Sequence, residues 1–202
     1  MKSLHATRLI VFLRAPRPGS VKTRLAAEIG VDAACNAYRY LLDRLMPGLR
    51  PADMAVELRH TPDDAAVEVS PWAEASWQLT AQGDGDLGVR LERAVLQSVA
   101  AGFTRTLIIG TDCPYLTLAD LREAREALAS NDLVLGPAED GGYWLIGLRN
   151  LHPELFRGIP WSTESVLATT LARAQEARLK VRLLRTLADV DTAADWRRFL
   201  AR

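Results

Sequence analysis

Seven short apolar runs punctuate this chain: Leu9 to Leu13, Met54 to Leu58, Trp77 to Thr80, Thr106 to Ile109, Leu133 to Leu135, Tyr143 to Leu148 and Val181 to Leu184. Their lengths and flanking polar residues predict strands. Helical period fills the intervals. Asp32 to Leu45 reads as one helix, and Leu87, Leu91, Ala94, Val95 and Ser98 fall on one face of another that stops at Gly102. Thr117-Leu-Ala-Asp120 and Thr192-Ala-Ala-Asp195 resemble capping boxes with Asp in place of Glu, so each predicts a helix start. Strands alternating with helices predict an α/β fold with a mainly parallel central sheet flanked by helices. The stretch from Pro51 to Pro71 is the least regular, and no repeat or linker divides the chain, so a single domain over 1–202 is expected.

In such a sheet, ligands bind at the carboxyl ends of the strands, which directs attention to the residues that follow each run. The first run leads into Leu13-Arg-Ala-Pro-Arg-Pro-Gly-Ser-Val-Lys-Thr-Arg-Leu25, a stiff loop carrying Arg14, Arg17, Lys22 and Arg24. Gly19 permits close backbone approach, and Lys22 and Arg24 bring charge to an expected helix start, so the loop reads as a phosphate site. A basic surface turn is the plainer alternative. Gly19-Ser-Val-Lys-Thr23 imitates the end of a Walker A motif, but Val21 and Pro16 stand where its glycines belong.

Composition adds bounds. Twenty-five basic and 25 acidic residues cancel, so no global field recruits nucleic acid or an anionic membrane, and the basic loop is a local feature. The run Ile10 to Leu13 meets Arg14 at once, which predicts neither a targeting segment nor a membrane span. Cys35 and Cys113 lie far apart and outside any metal spacing, and His5, His60 and His152 are scattered. A zinc site and a disulfide framework are not expected, and the pattern fits a cytoplasmic protein.

The acidic half of a phosphate-handling site has two sources. Thr106-Leu-Ile-Ile-Gly-Thr-Asp-Cys-Pro114 ends a buried strand on Asp112, a hard oxygen ligand suited to Mg²⁺ or Mn²⁺, although an Asx turn would explain it equally. Leu187-Ala-Asp-Val-Asp-Thr-Ala-Ala-Asp-Trp196 assigns Asp195 to capping and leaves Asp189 and Asp191, of which Asp191 precedes the N-cap and can point back to the strand ends.

Two glycine turns complete the set. In Gly136-Pro-Ala-Glu-Asp-Gly-Gly-Tyr-Trp144, Gly141 and Gly142 read either as a hairpin turn or as room for a ligand, with Asp140 contacting an acceptor hydroxyl and Tyr143 or Trp144 lining the pocket. Trp144 reads equally as core. Gln82-Gly-Asp-Gly-Asp-Leu-Gly88 matches GxGxxG, but Asp84 and Asp86 stand where a pyrophosphate would sit. Instead, Gln82 and Gly85 are expected to face a base or ribose, with Asp86 capping the next helix.

Together these segments, with Ile159-Pro-Trp-Ser-Thr163 and Asp189-Val-Asp-Thr192, resemble nearly end to end a bacterial group of radical-SAM/selenodomain-associated, arsenosugar-biosynthesis type glycosyltransferases within the GT-A nucleotide-diphospho-sugar transferase superfamily. The resemblance implies a Rossmann-like GT-A domain that binds a nucleotide with a divalent metal. It matches Asp112 and Asp191 to the metal-binding positions, and Lys22 and Arg24 to the phosphate-loop cations. Where the group more often has Lys, this chain has Arg14. Thr111-Asp112-Cys113 lacks the DxD triplet of many sugar transferases and keeps one carboxylate, as in the nucleotidyltransferase branch.

The expected activity is therefore metal-dependent transfer of a sugar from a nucleotide-diphospho-sugar to a small acceptor. Mg²⁺ or Mn²⁺ would sit on Asp112 and Asp191; Arg14, Gly19, Lys22, Arg24, Gln82, Gly85 and Asp112 would bind the nucleotide. Lys22 and Arg24 would stabilise the leaving diphosphate, and Asp140 would orient or deprotonate the acceptor. The alternatives are nucleotidyl transfer from an NTP to a phosphorylated acceptor and a catalytically silent nucleotide-binding module.

Overall fold

A computed structural model describes residues 6–50 and 52–201; His5 and Pro51, used above, lie outside the described residues. Strands form at each of the seven apolar runs: β1 (Thr7–Arg14), β2 (Ala55–Thr61), β3 (Gln78–Ala81), β4 (Arg105–Ile109), β5 (Leu133–Pro137), β6 (Tyr143–Leu148) and β7 (Val181–Leu183). Among the described residues they make one sheet in the order β3-β2-β1-β4-β6-β5-β7. Every pairing is parallel except those of β6, which runs antiparallel to both β4 and β5. The β5–β6 hairpin turns at residues 138–142, so the sheet is mixed at that side.

Helices cover both faces, which is why the central strands read as continuous apolar runs rather than alternating ones. On one face Leu9, Val11 and Leu13 pack with Tyr38, Leu42 and Leu45 of α2 (Val31–Leu49) and with Leu121 and Ala124 of α5 (Leu118–Ala127). On the other, Ile10 and Ile108 meet Leu91, Ala94 and Val95 of α4 (Leu87–Ala100) and Ala174 of α6 (Val166–Glu176). Burying each such Leu or Ile contributes about 1.5–3 kcal/mol. The remaining helices are α1 (Thr23–Ile29), α3 (Ala66–Val69) and α7 (Ala193–Leu200).

The expected caps form. Thr117 and Thr192 each make the reciprocal capping box with Asp120 and Asp195, and Asp86 accepts from the Val89 N–H at 2.9 Å to cap α4. Helix α6 has no counterpart in the sequence reading; its buried stripe of Val166, Thr170 and Ala174 contains only one large apolar residue. The least regular stretch contains β2, whose Glu57 and Arg59 are each 1% exposed. They are paired inside, Arg59 Nε donating to Glu57 at 2.7 Å and Nη2 to Gln97 of α4 at 2.6 Å.

Candidate active site

The strand order reverses at β1, which lies between β2 and β4, and a crevice of about 810 Å³ opens there at the strand carboxyl ends. One wall begins with the loop after β1. It is pinned to α2, because the Cys35 thiol and the Arg39 guanidinium both donate to the Pro16 carbonyl, at 2.9 and 3.0 Å. The Arg14 N–H donates to the Tyr38 hydroxyl at 3.1 Å, and that hydroxyl also meets Thr111 Oγ1 at 3.0 Å. Tyr38 thus joins the ends of β1 and β4. Burial pushes its phenol up to about 12, so it stays protonated.

Lys22 leaves this loop in the left-handed region at φ 49°, an unfavourable conformation for a side-chain-bearing residue that aims it across the crevice. Its side chain is 2% exposed; the ammonium donates to Asp112 and, at 3.1 Å, to Asp191. Burial alone would lower the Lys22 pKa, but Asp112 and Asp191 together hold it above its usual value. Arg24 lies 3.7 Å from the second oxygen of Asp191. The Val190 N–H donates to the Asp112 carbonyl at 2.9 Å, which ties the β4 end to the late acidic loop and brings the two carboxylates together. Asp112 is therefore part of a charged cluster.

Two oxygens that converge on one cation fit a small divalent ion. Among the described residues no three His, Cys, Asp or Glu side chains cluster as a complete metal cage, so an ion here would take its remaining ligands from phosphate and water. Asp189 stands beside the pair, half-buried, and its carboxyl is raised to about 6 by burial and by the neighbouring charges of Asp191 and Asp140. Cys113 also lines the crevice, but burial pushes its thiol up, away from the thiolate form.

Several expectations need correction. Arg17 turns away and pairs with Glu68 at 2.5 Å and Asp64 at 3.1 Å, which removes one cation from the loop's supply. Gly19 takes φ 78° in the turn but does not line the crevice. Helix α1 has seven residues, and the crevice-lining Lys22 and Arg24 bring side-chain charge to its start. Gln82 lines the crevice with its amide already engaged, donating to the Leu13 and Arg59 carbonyls and accepting from Arg90. Gly85 also lines it.

The 140s turn is corrected in part. Gly141, at φ 86°, is glycine for packing: a Cβ would lie 2.2 Å from the Glu164 carbonyl oxygen. Asp140 faces the crevice, yet its carboxylate accepts from the Gly142 N–H at 2.8 Å and so also shapes the turn. Trp144 is core, 3% exposed, with its indole donating to the Arg185 carbonyl at 3.1 Å, although one edge reaches the crevice. The sequence reading gives no role to Arg90, Tyr38 or the Trp161-Ser-Thr163 segment, all of which line the crevice. For the last, the signal was present in the Ile159 to Thr163 motif but carried no chemistry of its own.

Residues 47–163 match the family described as an uncharacterized protein conserved in bacteria, DUF2064. The chain belongs to this family. No curated protein matches it. Among solved structures, this DUF2064 chain resembles a candidate nucleotide-diphospho-sugar transferase from Desulfovibrio desulfuricans G20, at 32% identity and TM-score 0.88, over 94% of this chain and 84% of that one. It also resembles the manganese complex of Rv0371C from Mycobacterium tuberculosis H37Rv, at 21% identity, TM-score 0.59, and 96% and 98% coverage. A third is 4-diphosphocytidyl-2C-methyl-D-erythritol synthase from Anaerococcus prevotii DSM 20548, at 12% identity, TM-score 0.63, and 98% and 97% coverage. The DUF2064 chain thus has the Rossmann-like fold of nucleotide-diphospho-sugar transferases. No helix among the described residues is long and apolar enough to cross a membrane.

Proposed function

We propose that this protein is a transferase that moves a sugar from a nucleotide-diphospho-sugar to a small acceptor, with Mg²⁺ or Mn²⁺ held by Asp112 and Asp191. The observation that carries this reading is the convergence of those two carboxylates with Lys22 at the strand ends. It sets acid and base side by side, as a metal–diphosphate complex requires. The bound metal would neutralise charge on the departing diphosphate. Lys22 and Arg24, which reach the same carboxylates, would contribute in the same sense on the phosphate side, and a preorganised donor aimed at developing charge is worth about 2.7–4 kcal/mol. Arg14 extends the phosphate wall, Gln82 and Gly85 form the flank for base or ribose, and Asp140 takes the acceptor hydroxyl's proton. The names of the relatives support a nucleotide-linked transferase, and we place the chain with the arsenosugar-type group on its motifs.

Nucleotidyl transfer is the second reading, favoured by the lone carboxylate at the β4 end and by the fold shared with the cytidylyl enzyme. The cation surplus that would suit a triphosphate is smaller than the sequence suggests, since Arg17 is paired elsewhere. Product analysis separates the two. Nucleoside diphosphate released from a sugar nucleotide supports glycosyl transfer, whereas pyrophosphate released only from an NTP with a phosphorylated acceptor overturns it.

A further inference from the structure

The crevice is electrically lopsided. Its lining cations, Arg14, Lys22, Arg24 and Arg90, come from the end of β1, the loop and α1 start that follow it, and α4. The lining contributed from residue 138 onward holds Asp140, Asp189 and Asp191 and, among the described residues, no lysine or arginine. This second wall is also aromatic. Trp161 is half-buried on the crevice and meets the Tyr143 ring edge-on, with centroids 6.4 Å apart and planes at 82°. Phe12 and Ile146 continue the apolar floor toward it.

The wall is built rather than accidental. Ser162 is held at φ 65°, so both segments facing the crevice from opposite sides, at Lys22 and at Ser162, carry a side-chain-bearing residue in the left-handed region. Thr163 Oγ1 donates to the Pro160 carbonyl at 2.7 Å and closes the turn around Trp161. Gly88 clears the indole: a Cβ there would stand 2.7 Å from Trp161 Nε1. The Gly141 carbonyl accepts from the Leu167 N–H at 2.9 Å, which locks the Asp140 turn to this segment.

From this we infer that the wall formed by Asp140, Tyr143, Trp161, Ser162 and Thr163 is an acceptor subsite for an uncharged, hydroxyl-bearing small molecule, a sugar or polyol that lays its apolar face on Trp161. A phosphorylated acceptor would meet Asp140 with Asp189 beside it, while Lys22 and Arg24 are engaged by Asp191, an arrangement that repels it. Hydroxyls suit the same carboxylates, which accept their hydrogen bonds, while the indole takes the C–H face. The inference rests on the transferase reading for the word acceptor, but the binding chemistry stands on this wall alone.

The test is ligand-observed NMR on the full chain with UDP and Mn²⁺ present, and again without them. The probes are a panel of neutral methyl glycosides and polyols, each paired with a phosphorylated counterpart such as glucose 6-phosphate. Neutral members should bind and their phosphorylated partners should bind more weakly. Trp161→Ala should weaken the neutral binding by roughly tenfold, as truncation of a buried Trp anchor does, and Trp161→Phe should recover part of it. Thermal unfolding of both variants identifies any loss that comes from misfolding, and the Phe variant then decides. Binding of no neutral member, equal or tighter binding of the phosphorylated partners, or neutral binding indifferent to Trp161→Phe and Trp161→Ala overturns the inference. Neutral binding at Trp161 in a protein that releases no nucleoside diphosphate would keep the subsite and defeat the transferase reading instead.

Discussion

Lys22 and Asp112 lie 90 residues apart in sequence and form one ion pair across the crevice, which Asp191 completes from the far end of the chain. This makes Lys22 the counter-ion of the two carboxylates whenever no other cation is on them. Diphosphate and metal would divide that arrangement, the phosphate drawing Lys22 and the ion replacing it on Asp112 and Asp191.

Lys22→Met should therefore act in opposite directions on two ligands. Nucleoside diphosphate affinity should fall by roughly tenfold or more, the loss expected of one charge-assisted hydrogen bond. Affinity of the nucleotide-free protein for Mn²⁺ should rise, because a competing ammonium is gone. Calorimetric titration of each ligand checks both, and a parallel fall in the two affinities would contradict the arrangement.

The buried Glu57–Arg59 pair predicts strong non-additivity. Glu57→Leu alone leaves Arg59, and Arg8 which also pairs with Glu57 at 3.1 Å, uncompensated in the interior and should cost about 3–5 kcal/mol; removing Glu57 and Arg59 together still strands Arg8 but should cost less than the two single changes combined. Denaturant unfolding of the two singles and the double measures the cycle. Simple additivity would mean that the charges are independently solvated.

Asp120 gives a pH signature remote from the crevice. Burial works against its charged form, but hydrogen bonds from Arg185 at 2.6 and 2.7 Å and from Thr117 outweigh this and hold the carboxyl below its usual value. A depressed folded pKa contributes stability that is complete above the unfolded value of about 3.9 and is lost as pH falls through the folded value. Arg185 is half exposed, so Arg185→Met should cost only about 1–2 kcal/mol at neutral pH. As pH falls through the depressed folded value and Asp120 takes up its proton in both proteins, the wild type and variant curves should converge. A gap that stays constant with pH would assign the effect to packing of the Arg185 stem.

How much of this was legible in the sequence follows from the range of the forces involved. The strands after which Asp112 and Asp140 fall were readable because their apolar runs are bounded by Gly, Pro and charge, and Thr117 and Thr192 announced their helices through contacts three residues long. Arg17 counted among the loop's cations in the sequence because its partner Glu68 lies 51 residues away and nothing local reveals it. Lys22 and Asp112 were both marked, but as opposite walls; their direct pairing is a property of the sheet order, which puts β1 beside β4. Gly141 read either as a hairpin turn or as room for a ligand because the Glu164 backbone that it accommodates arrives only through tertiary packing.

Gly141→Ala isolates that packing. The substitution forces a Cβ into the Glu164 backbone at a positive φ and should destabilise the fold by about 1–3 kcal/mol while displacing the Trp161 turn. Thermal unfolding gives the first effect and tryptophan fluorescence the second. A fully stable variant would show that the turn and the 159–165 segment are free to separate.

The most direct test of the central claim is calorimetric titration of nucleoside diphosphates into the wild type, Asp112→Asn and Asp191→Asn proteins, with and without Mn²⁺. The wild type should bind at least roughly tenfold more tightly when Mn²⁺ is present, and both variants should lose that dependence while keeping their thermal stability. Mn²⁺-dependent binding that survives in Asp112→Asn and Asp191→Asn, or wild-type binding indifferent to Mn²⁺, would contradict the account.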